Sequence, residues 1–162
     1  MKKIYYTWQQ VEGGCLDLSR QMVQDNWLPK YIVGLNRGGL VPANLISQYL
    51  DIPMATLMVS LRDGGICVSD CGMAEDAFNG VNILVVDDIN DQGSTIEWIK
   101  HDWQSSALPD DPKWNNIWGQ NVRFATLTNN LSSNQDVDYT YWEVNKAEED
   151  CWLVYPWEEF WK

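Results

Sequence analysis

Apolar positions along the chain follow two rhythms. Ile83-Leu84-Val85-Val86 is an unbroken apolar run, rich in β-branched residues, of the kind found in a parallel strand covered on both faces. Shorter strand-like runs stand at Tyr31–Leu35, Met54–Ser60, Val122–Thr128 and Tyr139–Val144. Between them the period lengthens to that of a helix. Trp8, Val11, Cys15, Leu18 and Met22 follow Thr7, a suitable N-cap, although Gly13 and Gly14 weaken that helix. Val41, Leu45 and Tyr49 mark one face of a helix over 40–50, and Ile96, Ile99 and Trp103 mark another after Thr95. Strands alternating with helices predict an α/β fold with a mainly parallel central sheet, organised as one domain over residues 1–162.

Two stretches break the rhythm. Residues 61–82 are rich in Gly, Asp and small side chains, with one apolar patch at Ile66–Val68, and are expected to form a mobile surface loop or weak hairpin. Residues 105–120 are rich in Pro, Asp, Trp and Asn and read as an insertion, with one helical turn around Lys113–Trp118. Residues 151–162 form an aromatic, acidic tail.

The composition narrows the possible partners. Hydrophobic residues at 45% and charged residues at 21% of 162 positions suit a folded domain with a full core. A net charge of −12 argues against a duplex nucleic-acid partner, because phosphate contacts need a basic face. A polyanionic substrate would have to be held by metal, backbone amides and a few placed cations. Cys15, Cys67, Cys71 and Cys151 lack the spacing of a zinc site and are expected to be reduced thiols. No secretory or membrane-spanning run is evident, so the expected location is cytoplasmic, with no membrane partner. Of ten tryptophans, Trp114, Trp118, Trp157 and Trp161 lie in segments expected at the surface, where they serve a subunit contact as readily as core packing.

The chemistry gathers after the apolar run. Asp87, Asp88 and Asp91 crowd negative charge at the strand's carboxyl end, where open α/β sheets bind ligands. Gly93, Ser94 and Thr95 then open a helix, whose free amides suit a phosphate. Carboxylates for hydroxyls or metal, beside amides for phosphate, describe a phosphorylated sugar. A strand ending in Asp-Asp also occurs in receiver domains, in phosphatases with an aspartyl nucleophile and at the magnesium sites of nucleotidases. The third acid and the glycine–hydroxyl turn favour the sugar phosphate.

Residues 83–95 closely resemble the phosphoribosyl pyrophosphate (PRPP) signature of the type I phosphoribosyltransferases: a hydrophobic strand, two acids, a two-residue spacer, Asp, then Thr-Gly-x-Thr. Asp87 and Asp88 match the acidic pair, Asp91 the later acid, and Gln92-Gly93-Ser94-Thr95 the phosphate turn, with Gln92 replacing the usual Thr. Val33–Ala43 is similar to the pyrophosphate loop of the purine salvage branch. There the Arg37 and Gly38 amides and the Arg37 charge would hold the diphosphate, and the peptide entering Arg37 is expected to be cis. Cys151–Glu158 resembles the purine-covering segment of the xanthine-guanine branch, with Trp152 stacking on the base and Leu153 and Val154 offering main-chain contacts. Tyr6-Thr7-Trp8 is similar to the opening of that branch. The resemblance spans most of the chain, except residues 61–82 and 105–120.

That resemblance implies the type I phosphoribosyltransferase fold with a small C-terminal hood, and a purine salvage enzyme. Its substrates would be PRPP and a 6-oxopurine (guanine, xanthine or hypoxanthine), its cofactor Mg2+, and its assembly a homo-oligomer, dimer or tetramer. Asp87 and Asp88 would bind the ribose hydroxyls, with Asp88 contacting the metal or its waters. Asp91 would be the catalytic general base at purine N7, and residues 92–95 would hold the 5-phosphate. Two departures stand out. The lysine that reads the 6-oxo group in bacterial relatives is replaced within Thr126–Asn130 by Asn129 or Asn130, so Asn130 is the expected base contact. Arg62 is the only cation at the edge of the 61–82 loop, since no Lys or Arg follows until Lys100. A phosphoribosyltransferase for another base such as adenine, and a non-catalytic PRPP sensor, are the alternatives.

Overall fold

A computed structural model of the chain describes residues 1–62 and 64–162; Asp63, within the expected loop, lies outside them. The elements in chain order are β1 (Lys2–Tyr5), α1 (Trp8–Gln24), β2 (Tyr31–Asn36), α2 (Leu40–Leu50), β3 (Met54–Met58), α3 (Cys71–Phe78), β4 (Ile83–Asn90) and α4 (Ser94–Ser106). A 3₁₀ turn (Pro112–Asn116), β5 (Val122–Asn130), β6 (Tyr139–Val144) and β7 (Cys151–Val154) complete the chain. Five strands form a central sheet in the order β3-β2-β4-β5-β6. All its pairings are parallel.

Successive side chains of a strand point to opposite faces, so β4 divides the core. Leu84 and Val86 pack with α1 and α2 through Leu18, Met22 and Ile46. Ile83 and Val85 pack on the other side with Ile96, Ile99 and Trp103 of α4. β5 repeats the split, with Ala125 and Leu127 facing the first layer and Val122 and Phe124 the second. The expected parallel α/β sheet is thus present, with helices on both faces.

Helix α1 starts where the sequence places it. Thr7 accepts a hydrogen bond from the Gln10 amide at 3.1 Å, and the Gln10 side chain accepts from the Thr7 amide at 2.8 Å, a reciprocal capping box. Outside the main sheet, β1 pairs in parallel with β7, setting Lys3 opposite Trp152 and Tyr5 opposite Val154. This two-stranded hood ties the two ends of the chain together over the carboxyl edge of the sheet. Neither four-residue strand has a readable period of its own.

The irregular stretches are more ordered than their composition suggests. A bridge between Val59 and Cys67 makes a minimal hairpin. It is followed by α3, whose N-cap Asp70 accepts from the Met73 amide at 3.0 Å. The 105–120 insertion carries the expected helical turn, but its tryptophans face inward. Trp114 is buried and stacks on Trp118 with centroids 5.6 Å apart, and Trp118 in turn lies 6.0 Å from Trp103. Trp114 Nε1 donates to the Ala107 carbonyl at 2.9 Å, which meets the polar requirement of a buried indole. Core packing is therefore the role of Trp114 and Trp118, whereas Trp161 keeps 70% of its surface exposed. The second core layer needs large side chains to cover β4 and β5, and the insertion supplies them. All four cysteines are free thiols, and no helix among the described residues is long and apolar enough to cross a membrane.

Truncating Trp103, which is fully buried, is expected to lower stability by about 3–5 kcal/mol. The matching change at exposed Trp161 should cost less than about 0.5 kcal/mol. Equilibrium urea unfolding of Trp103→Ala and Trp161→Ala measures both.

Candidate active site

The connection after β2 runs to α2 on one face of the sheet, and the connection after β4 runs to α4 on the other. Neighbouring parallel strands whose connections diverge in this way leave a crevice at their carboxyl ends. A cleft of about 930 Å³ opens there, bounded by Asn36–Gly38, Asp87–Thr95 and the hood residues Trp152–Tyr155.

The β2–α2 turn forms one wall. The Asn36–Arg37 peptide is cis, as expected. A Cβ on Gly39 would collide with the Val86 carbonyl, and one on Gly38 with the Asp88 carboxylate. Glycine at both positions therefore lets this turn lie directly against the end of β4. The Gly39 amide is spent on the Leu35 carbonyl and the Leu40 amide on the Arg37 carbonyl, at 2.9 and 3.1 Å. The Arg37 and Gly38 amides have no acceptor among the described residues and face an open turn with an exposed Arg37 side chain.

The end of β4 forms the floor. Asp87 accepts from the Asp88 amide at 2.9 Å, and Asp88 accepts from the Ile89 amide at 2.7 Å. Neither carboxylate has an ion-pair partner among the described residues. Burial pushes the Asp87 carboxyl well above the usual carboxylate range, and the neighbouring Asp88 charge adds to the shift. Burial also raises Asp88. Two desolvated acids without a cation are costly to the protein alone. Their surroundings are nonetheless fixed. The Tyr155 hydroxyl donates to the Asp88 carbonyl at 3.0 Å and shares a 2.8 Å hydrogen bond with Thr128.

The chain then turns into α4 through Gly93, whose φ of +93° is in the left-handed region that favours glycine. A Cβ there would also strike the Asn134 side chain. No side chain among the described residues caps α4, so the amides of its first turn, at Ser94 and Thr95, are left free where those residues line the cleft. The positive end of a helix and its open donors suit a phosphate.

The far wall holds an acid, an aromatic ring and two cations. Trp152 is 36% exposed and presents its ring to the cleft, whereas the Leu153 side chain is buried in the core, which leaves its backbone as its contribution. Lys146 Nζ lies 3.1 Å from Asp91 Oδ2, and an Arg62 guanidinium nitrogen lies 3.9 Å from the same oxygen. Asn130 is buried at the end of β5 and donates to the Asp91 carbonyl at 2.8 Å. Its own oxygen accepts from the Lys146 amide at 3.0 Å. The Asn130 amide is thus committed to bracing Asp91 and Lys146, and its side chain borders a shallower recess beside the main cleft. This differs from the expected base contact.

The structure brings Arg37, Gly38, Asp87, Asp88, Asp91, Gln92, Gly93, Ser94, Thr95, Trp152 and Leu153 to one cleft. Lys146 and Tyr155, which join them, escaped the sequence reading. The only available signal for Lys146 was a single cation within the acidic run Glu143–Asp150.

A parallel α/β sheet with carboxylates and two unfilled amide turns at its switch point defines a phosphosugar-binding enzyme. The phosphoribosyl transferase domain model matches residues 1–159, and the chain belongs to that family. It is 28% identical over 165 residues to a xanthine-guanine phosphoribosyltransferase of Cereibacter sphaeroides, a match covering 97% of this chain and 87% of that one. A hypoxanthine-guanine phosphoribosyltransferase of Schizosaccharomyces pombe is 21% identical over 187 residues, covering 96% of this chain and 89% of its own. Among solved structures, the purine phosphoribosyltransferase of Pyrococcus horikoshii superposes with a TM-score of 0.69 at 26% identity, over 99% of this chain and 96% of the other. The expected type I fold and family are borne out.

The left-handed backbone at Gly93 gives a direct test. Gly93→Ala is expected to lose about 1–3 kcal/mol of stability in urea unfolding. Gly13→Ala, in α1 with nothing within 4 Å of the added methyl, should gain up to about 1 kcal/mol.

Proposed function

We propose that the chain, acting as one domain, transfers the 5-phosphoribosyl group of PRPP to a ring nitrogen of a 6-oxopurine and releases diphosphate. The observation that carries this reading is the order of groups along one cleft: open Arg37 and Gly38 amides, the unpaired Asp87 and Asp88 carboxylates, the free first turn of α4, and Asp91 beside the Trp152 ring. A diphosphate, a ribose, a 5-phosphate and a flat base need those groups in that company. The purine assignment rests on the names of the relatives.

The first turn of α4, residues 92–95, holds the 5-phosphate, and Asp87 and Asp88 accept hydrogen bonds from the two ribose hydroxyls. The β2–α2 turn donates the Arg37 and Gly38 amides to the diphosphate, with the guanidinium adding charge. Trp152 stacks on the purine, and the Leu153 backbone borders its edge. The bond from ribose C1 to the diphosphate oxygen breaks as the bond to purine nitrogen forms, and positive charge builds on the ribose in between. Asp91 takes the proton from N7, which balances the reaction at neutral nucleobase and free diphosphate. Holding both partners in one cleft removes much of the entropic barrier.

Magnesium fits this site. Asp87 and Asp88 are half-buried carboxylates without a protein cation, and no group of three or more potential metal ligands gathers among the described residues. That donor set suits an ion that arrives on the diphosphate and takes one or two protein carboxylates, Asp88 foremost. When bound, the ion neutralises charge on the leaving diphosphate. A homo-oligomer acting in the cytoplasm is the remaining part of the proposal, supported by the exposed Phe160 and Trp161 rings and the free thiols.

With PRPP, magnesium and guanine, the protein is expected to form nucleotide and diphosphate in equal amounts, with no diphosphate released when the base is omitted. Asp91→Asn should lower kcat about 10²- to 10⁴-fold while leaving the KM for PRPP within a few-fold. Full turnover by that variant would remove Asp91 from the mechanism.

A further inference from the structure

Lys146 has no role in the scheme above, yet its setting is that of a built site. It belongs to the β6–β7 connection, next to Glu143, Glu148, Glu149 and Asp150. Among the described residues it pairs with none of these four and turns inward to Asp91 at 3.1 Å. Its side chain is only 18% exposed. Its ammonium stands 5.5 Å from the centre of the Trp152 ring, and its backbone amide is held by the buried Asn130 oxygen at 3.0 Å. Asn130 also grips Asp91 through the Asp91 carbonyl, so acid, amide and lysine form one braced unit.

Arg62 lies over the same ring at 5.2 Å but differs in kind. It is 66% exposed and makes no side-chain hydrogen bond among the described residues, so it covers the ring without belonging to the brace. The side chains at the end of β5 are largely engaged within the protein. Asn129 accepts from the Asn90 side chain at 2.9 Å, and Asn130 is spent as described. Among the described residues, Lys146 is therefore the one cation beside the Trp152 ring that is both largely buried and held by a hydrogen bond.

Resting on the phosphoribosyltransferase reading, we propose that Lys146 determines acceptor specificity, its ammonium donating to the exocyclic 6-oxygen of a purine stacked on Trp152. An ammonium carries three donors and no acceptor. One donor faces Asp91 Oδ2, which leaves the others for the base. A carbonyl oxygen satisfies them, and a 6-amino group opposes them donor to donor. The lysine thus selects 6-oxopurines over adenine. It does so from the β6–β7 connection, although the end of β5 offers only neutral amides.

Inosine and adenosine monophosphates differ at position 6 alone and make the cleanest probes. Titration calorimetry on the full chain should show the wild type binding the inosine nucleotide more tightly. Lys146→Met should lose about 10- to 100-fold in that affinity, with the adenosine nucleotide and magnesium–PRPP bound within about threefold of wild type. Lys146→Arg, which keeps the charge, should retain most of the preference, and unchanged PRPP binding in either variant certifies the fold. Equal weakening of both nucleotides would reduce Lys146 to an anchor for Asp91 and overturn the proposal, as would an unaltered inosine affinity. A wild type that binds neither nucleotide and forms none from any purine would overturn the proposed function itself. A wild type that uses guanine normally beside an indifferent Lys146→Met overturns only the role of the lysine.

Discussion

Two half-buried carboxylates side by side at the end of an apolar strand are the constraint on which the rest of this structure depends. β4 is sealed on both faces by apolar layers up to Val86, so Asp87 and Asp88 emerge half-buried and, among the described residues, without an ion-pair partner. Leaving charges in that state costs folding free energy. The surrounding architecture holds them there: Gly38 and Gly39 allow the β2–α2 turn to press against β4, and Tyr155 fixes the Asp88 carbonyl from the hood. In the proposed function, a ligand with hydroxyls and its own metal would supply what the protein withholds.

The same logic explains how an acidic chain binds a polyanion. At a net charge of −12 the overall field repels phosphate. In the proposed function the cleft counters it locally with the backbone donors of the β2–α2 turn and of the first turn of α4, which carry no counterion and need no side chain. The few cations are placed, and the two at the base wall share one carboxylate, Asp91.

Much of this was legible before the fold was seen. The β4 and α4 elements are local in their signals, since an apolar β-branched run and a helical period lie next to the acids and the glycine that carry the chemistry. The N-cap at Thr7 was visible for the same reason. What escaped was non-local. The strands β1 and β7 are four residues each and acquire strand geometry only by pairing with each other across nearly the whole chain. The inward turn of Trp114 depends on the area of β4 and β5 left to cover, which no window of sequence reports. Helix α3 was hidden because its short apolar face sits among glycines and acids. Lys146 was hidden because its partner Asp91 is distant in the chain and its sequence neighbours advertise a surface salt bridge.

The most direct test replaces the charge and keeps the shape. In Asp87→Asn the amide oxygen can still accept from the Asp88 amide, while the desolvated charge is gone. Calorimetric titration with magnesium–PRPP, alongside a thermal melt of the same sample, separates stability from function. The expected result is a Tm at or above that of the wild type with PRPP affinity lost by at least about tenfold. A variant that binds PRPP as tightly as the wild type would contradict the assignment of the β4 carboxylates to the ribose.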